Sequence, residues 1–160
     1  MRVGLEACDD GGTSNSTKCQ SDCSGPVNGW LCVGGSASGP STCTEVCGDG
    51  FYTMSEGCDD FNTFDGDGCS STCIVELGFL CDNTVSPSDC NPVCGDSRKV
   101  NGETCDDGNT SNADKCKADC TGPVSGWTCS GGTSTSPSVC LHVCGDGIIV
   151  LGEACDDQNT

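Results

Sequence analysis

Large side chains are scarce in this sequence. Of 160 residues only 4% are aromatic, and methionine occurs twice. A chain so composed cannot bury enough apolar surface to fold on that basis alone, so crosslinks or metals must stand in for a core. Basic residues number 6 against 24 acidic ones, a net charge of −18, which excludes the electrostatic footprint of a nucleic-acid binder. The single histidine, His142, belongs to no recurring Ser/His or Cys/His constellation, so no catalytic site is read and no enzyme is expected. The longest purely aliphatic run, Ile148 to Leu151, is far too short to span a bilayer.

What is abundant is cysteine, with 19 residues, and glycine, with 24. The cysteines fall on a fixed ruler. Cys-Gly-Asp opens a unit at Cys47, Cys94 and Cys144. From Cys47 the next cysteines are Cys58, Cys69, Cys73, Cys81 and Cys90, and the unit then restarts. The chain therefore reads as a truncated repeat at 1–43, complete repeats at 47–90 and 94–140, and the start of another at 144–160. A longer period of 97 residues links Cys8 to Cys105, Cys32 to Cys129 and Cys58 to Cys155. The text agrees: GPVNGWLCVGG and GPVSGWTCSGG correspond, whereas the middle repeat reads IVELGFLCDN. Alternation of unlike repeats suggests a long polymeric array. Met1 aligns with Ile148, inside a unit, so the chain reads as a window on a longer protein. The odd cysteine total then follows from truncation.

Disulfides outweigh zinc as the use of these cysteines. The histidine is not repeated at its equivalents, Glu45 and Pro92, and zinc ribbons favour two tight CxxC pairs. Dense disulfides place the chain in an oxidising compartment, extracellular or at the cell surface. Six cysteines allow 15 pairings. A local Cys81–Cys90 bond is favoured, with the other four paired across the acidic loop. GDG, DGDG, GG and SGP punctuate the chain and favour turns. The expected fold is a set of small disulfide-rich repeats, mostly coil and turn with short β-strands, in a linear rod-like array. Phe51 to Met54 and Ile148 to Leu151 are the runs that suit strands.

The acids keep fixed places relative to the cysteines. The second repeat has Asp49, Glu56, Asp59 and Asp60, the third Asp96, Glu103, Asp106 and Asp107, and the fourth Asp146, Glu153, Asp156 and Asp157. Several carboxylates in one glycine-bearing loop, closed by cysteines, suit a hard cation, and calcium is favoured. The frame V-C-G-[DN]-x6-[GE]-E-x-C-D resembles the calcium-binding opening of disintegrin domains. The resemblance implies ligands at the Val46 carbonyl, Asp49, the Phe51 carbonyl, Glu56 and Asp59. In the third repeat it implies Val93, Asp96, Arg98, Glu103 and Asp106, and in the fourth Val143, Asp146, Ile148, Glu153 and Asp156. The disintegrin pattern's first Glu falls at Thr53, Val100 and Val150, so a water or a second Asp such as Asp60 must replace it. The whole unit resembles a cysteine-rich repeat of microbial and protist surface proteins, CGDGxxxxGExCDDGN…GWxC, to which no activity is assigned.

The second acidic loop, CDDFNTFDGDGC, is read as turn-forming, because the spacing of an EF-hand is absent. Sequons at Asn15 and Asn109 suit N-linked glycans. Hydroxyl residues between the last two cysteines, among them Ser41, Ser88 and Ser138, suit O-linked ones. Trp30, Phe79 and Trp127 share one position, where a ring stacked on a disulfide would form each unit's core. The expectation is a calcium-rigidified, glycosylated structural protein that self-associates into a fibre, stalk or coat. An adhesion or receptor-binding module of a larger surface protein is the alternative.

Overall fold

The computed structural model describes residues 6–12, 18–36 and 38–158. Among these, six short strands form and no helix does. They are β1 (Trp30–Val33), β2 (Thr42–Glu45), β3 (Phe79–Asp82), β4 (Asp89–Pro92), β5 (Trp127–Ser130) and β6 (Val139–His142). Consecutive strands pair into three two-stranded sheets, β1 with β2, β3 with β4 and β5 with β6. Each hairpin is built around the last two cysteines of a repeat. Cys32 lies directly opposite Cys43, and Cys129 opposite Cys140. Disulfides join both pairs, and a third joins Cys81 to Cys90. A two-stranded ribbon is marginal by itself, and the covalent tie across its middle holds the register.

The strands thus lie where aromatic, aliphatic and hydroxyl residues flank the fifth and sixth cysteines. They do not form at Phe51–Met54 or Ile148–Leu151. There the backbone is committed to carboxylates instead: the Phe51 N–H goes to Asp49 and the Ile148 N–H to Asp146.

The remaining cysteines pair in a nested pattern. The second and third of a repeat join as Cys8–Cys19, Cys58–Cys69 and Cys105–Cys116. The first and fourth join around them as Cys47–Cys73 and Cys94–Cys120. Cys23, Cys144 and Cys155 carry no disulfide, and the sequence holds no counterpart at the position each would need. The fourth cysteine has a left-handed backbone in each of the three repeats that contain it, with φ of 58° at Cys23, 54° at Cys73 and 52° at Cys120. Its N–H closes a turn on the residue after the third cysteine, Gln20, Ser70 or Lys117.

The core is made of sulfur. Cys8, Cys58, Cys105 and Cys116 are fully buried, and Val100 is the one aliphatic side chain that joins them among the described residues. The aromatic rings expected to form the core are only half-buried and flank it. Lys18 lies over the Trp30 ring, 4.6 Å from its centre. Trp127 meets His142 edge-on with 6.5 Å between centroids.

The chain divides into two compact units. One is Met1–Phe64 with Cys69–Ile74 and Asp82–Asp89; the other is Asp65–Gly68 with Val75–Cys81 and Cys90–Thr160. Within each, a recurring contact ties a hairpin to the following repeat. In the first unit the Val46 N–H donates to the Gly29 carbonyl, and Gly29 lies beneath Thr53. In the second, Val93 donates to Gly78 beneath Val100, and Val143 to Gly126 beneath Val150. These glycines have φ near +90°, and a Cβ on Gly78 would lie 2.6 Å from Val100 Cγ1. Steric space and backbone sign therefore both demand glycine. Gly78→Ala is expected to lower unfolding stability by about 1–3 kcal/mol from the left-handed backbone alone. The Gly78→Ala, Val100→Ala pair should recover the steric part. Urea unfolding of the oxidised chain measures both, and an unchanged midpoint for Gly78→Ala contradicts the contact.

Candidate cation site in the acidic loop

The Cys-Gly-Asp-Gly turn exists because an aspartate collects its backbone. Asp59, fully buried, accepts N–H groups from Gly48, Asp49, Gly50 and Phe61 at 2.8–3.2 Å. Asp106 does the same with Gly95, Asp96, Ser97 and Gly108, and Asp156 with Gly145, Asp146, Gly147 and Gln158. Positive φ at Gly48 and Gly50 turns successive N–H groups inward, forming an anion nest. The Gln158, Gly147, Gly145 and Asp146 N–H groups hold the Asp156 carboxyl below its ordinary value against the opposing effect of burial.

The same aspartate is clasped from its backbone. The Asp59 N–H donates to Ser88 Oγ, and the Ser88 N–H donates to the Asp59 carbonyl at 2.6 Å. Asp106 with Ser138, and Asp9 with Ser41, repeat the double bond. Ser41, Ser88 and Ser138 are buried, at 9%, 6% and 8% exposure. They fasten the hairpin to the acidic loop and are withdrawn from the O-glycan acceptor surface on which the sequence suggested them. Their offset, two residues before the sixth cysteine in all three repeats, is a signal in the sequence.

Beside each nest sits a glutamate with one oxygen unspent. Glu56 Oε2 accepts the Thr53 N–H, Glu103 Oε2 that of Val100, and Glu153 Oε2 that of Val150. The Oε1 atoms of Glu56, Glu103 and Glu153 are buried and have no hydrogen-bond partner. Carboxylate oxygens of Glu56 and Asp59 lie within 4.8 Å of each other and of Cys73 Sγ, which is closed in a disulfide and offers no ligand. Glu103 and Asp106 meet in the same way beside the Cys94–Cys120 disulfide, and Glu153 meets His142 and Cys144. Burial raises the Glu56 and Glu103 carboxyls above their ordinary value, and the neighbouring Asp59 and Asp106 add to the rise.

Of the proposed ligands, the structure thus gathers the Glu and the last Asp of each set in the second and third repeats. Asp49, Asp96 and Asp146 each spend Oδ1 on the N–H two residues on, at Phe51, Arg98 and Ile148. Asp96 also faces the Arg98 guanidinium at 3.8 Å. Val46, Val93 and Val143 enter the loop from the hairpin through their N–H bonds to Gly29, Gly78 and Gly126. Thr53, Val100 and Val150, where the disintegrin pattern has its first Glu, instead pack on the preceding repeat's glycine. Asp107 serves the other loop, accepting from the Cys116 N–H and Asn109 Nδ2, and Asp60 accepts the Asn62 N–H. That other loop has an organiser that sequence reasoning missed. Glu76 accepts the Gly66 and Gly68 N–H groups at 2.7–2.9 Å. No repeated acid marks Glu76, because valine, Val27 or Val124, stands two residues before the matching glycine in the first and third repeats.

In the second and third repeats the nest and the glutamate therefore form a buried two-carboxylate seat with one open oxygen. Such a seat is neutralised by a divalent cation or by a proton. The donor left open for a hard ion is Glu Oε1, because both oxygens of the aspartate are taken by backbone N–H groups. The family model that matches is described as a domain of unknown function, DUF4215, over residues 40–74, 79–121 and 125–160. These matches cover more than half of the chain, which belongs to this family of cysteine-rich repeats. No curated protein and no solved structure matches the chain.

The raised glutamates fix the sign of a pH effect. A carboxyl whose folded pKa lies above its unfolded value, ordinarily 4.5, stabilises the fold below that value. The contribution is lost as pH rises through the folded pKa. In chelator, stability should therefore fall as pH climbs above about 4.5, and Glu56→Gln with Glu103→Gln should flatten that fall. Thermal unfolding across pH is the measurement, and a fall of equal size in the double variant removes these carboxyls as its source.

Proposed function

We propose that this chain is a non-catalytic structural element of an extracellular or cell-surface array, in which disulfides supply the core and calcium rigidifies the acidic loops. The observation that carries this reading is the open, buried Glu Oε1 beside a saturated aspartate, recurring at Glu56, Glu103 and Glu153. Bound calcium would draw on Glu Oε1 and would relieve its repulsion with the adjacent aspartate, whose own oxygens stay with the backbone N–H groups. Eight disulfides among the described residues support an oxidising environment. Among the described residues no helix is long and apolar enough to cross a membrane.

Self-association is supported by aliphatic side chains left on the outer faces of the hairpins. Leu31 and Val33 on β1, Leu80 on β3, and Val139 and Leu141 on β6 are more than half exposed. The same residues support the alternative of an adhesion module. In a rod-like array, the glycine contacts between successive repeats would act as nearest-neighbour joints.

Asn15 lies outside the described residues. Asn109 is half-buried, and its Nδ2 donates to Asp107 at 3.1 Å and to Asp114 at 2.9 Å. A glycan on Nδ2 keeps one of these bonds. Glycopeptide mass spectrometry of native material should find Asn109 occupied, and a bare amide would remove the glycan from this reading.

Calcium is expected to raise the thermal midpoint of the oxidised chain and slow its proteolysis, with chelator reversing both. Glu56→Gln should weaken one site about tenfold or more and leave the third repeat's site intact. Calorimetric titration reads the number and strength of sites, and the absence of any calcium heat or stabilisation overturns the calcium reading.

A further inference from the structure

Two of the three hairpins turn an uncharged face outward. Side chains alternate across each strand, so half-buried positions such as Trp30, Cys32 and Cys43 are interleaved with exposed ones. The exposed positions of β1 and β2 are Leu31, Val33, Thr42 and Thr44. Those of β5 and β6 are Thr128, Ser130, Val139 and Leu141. In a chain of net charge −18, neither set holds an ionisable group. The hairpin between them in sequence differs: its exposed positions on β3 and β4 are Leu80, Asp82, Asp89 and Asn91. The two uncharged hairpins are the ones separated by the 97-residue period, Cys32 to Cys129.

The two faces match without being copies. Leu31 and Val33 lie on the first strand of their hairpin, opposite Thr44 and Thr42. Leu141 and Val139 lie on the second strand of theirs, opposite Thr128 and Ser130. The aliphatic pair has changed strands while the cystine has kept its place. We propose that the β1–β2 face of one copy docks on the β5–β6 face of a second copy of this chain. The inference rests on the reading of the chain as self-associating and names the surfaces that carry it. Aligned sheets stack about 10 Å apart with interdigitating side chains. With first strands running the same way, β1 lies over β6 and β2 over β5. The pairing registers then set Leu31 on Leu141, Val33 on Val139, Thr44 on Thr128 and Thr42 on Ser130. The β1–β2 face laid on its own copy in that sense would set Leu31 on Thr44 instead. Acids are absent from the only faces that would have to touch, which spares the contact the repulsion felt elsewhere between two acidic chains. One four-residue face falls short of the roughly 1,000 Å² that a stable pair needs, so a single contact is weak and repetition along an array strengthens it. Because the two faces differ, the contact is head-to-tail and propagates from copy to copy.

The test is sedimentation equilibrium of the full oxidised chain up to millimolar concentration, at fixed calcium. Wild type should associate, and more strongly as salt screens the acidic surface. Leu31→Asp disables one face and Leu141→Asp the other. Each alone should weaken association about tenfold or more, because docking would bury an unpaired carboxylate. Mixed in equal amounts, the two variants should form a dimer through their remaining intact faces and go no further. Leu80→Asp, on the charged hairpin, should change nothing. All three substitutions fall at exposed positions, and equal thermal midpoints check that the fold is kept. Association that ignores the substitutions at residues 31 and 141 overturns the proposal and leaves self-association standing. Single variants that each still dimerise show faces pairing with their own kind, and overturn it as well. A wild-type chain that stays monomeric throughout overturns both the docking and self-association, and leaves these faces to a different protein.

Discussion

A carboxylate surrounded by backbone N–H groups holds each repeat together. Burying the Asp59 or Asp106 side chain among disulfides would be costly if its oxygens lacked donors. Four N–H groups supply them, and charge-assisted bonds of this type are the strong ones. The consequences spread outward. The nest curls Cys-Gly-Asp-Gly so that the first cysteine reaches the fourth. The serine clasp on the same aspartate brings the hairpin onto the loop. Replacing the aspartate by alanine would leave a ring of inward N–H groups with no side-chain acceptor, a larger loss than one hydrogen bond.

A core of cysteine explains the composition. Each buried disulfide fills volume and closes a loop, removing conformational freedom from the unfolded chain. Large rings are then unnecessary inside, and Trp30 and Trp127 are left at the margin. Their contacts differ: Lys18 covers one and His142 meets the edge of the other. The hairpins likewise need little apolar surface, because the cystine at the centre of each performs the work of cross-strand packing.

The cysteine spacing made the fold class legible, and even the local Cys81–Cys90 bond, because two cysteines nine positions apart with a turn-rich interval suit a tied hairpin. Strand positions were less legible. Phe51 to Met54 and Ile148 to Leu151 have the residue types of strands, but an Asx turn and a glutamate claim their N–H groups, and no sequence pattern weighs those bonds against a ladder. In the candidate site, Glu56 and Asp59 were recognisable from their fixed offsets. Asp49 and Asp60 share those offsets, yet each caps a turn. Acid spacing identifies a carboxylate's neighbourhood and not which donors reach it first. Ser88 was hidden for a different reason: in composition a buried hydroxyl and an exposed one look alike.

The left-handed fourth cysteine bears on how the crosslinks are made. The turn is closed by backbone bonds that recur in the repeats: the N–H of Cys23, Cys73 and Cys120 goes to the carbonyl of Gln20, Ser70 and Lys117, and their carbonyls receive the N–H of Ala7, Gly57 and Thr104. A turn closed three residues back needs no crosslink in order to form, so it can hold the thiol on a defined backbone when oxidation begins. With 19 cysteines in one sequence, random oxidation would generate a vast set of wrong isomers. A thiol already aimed at one neighbour narrows that choice through local geometry, repeat after repeat. Because every crosslink closes within its own repeat, adding repeats adds no new pairing problem.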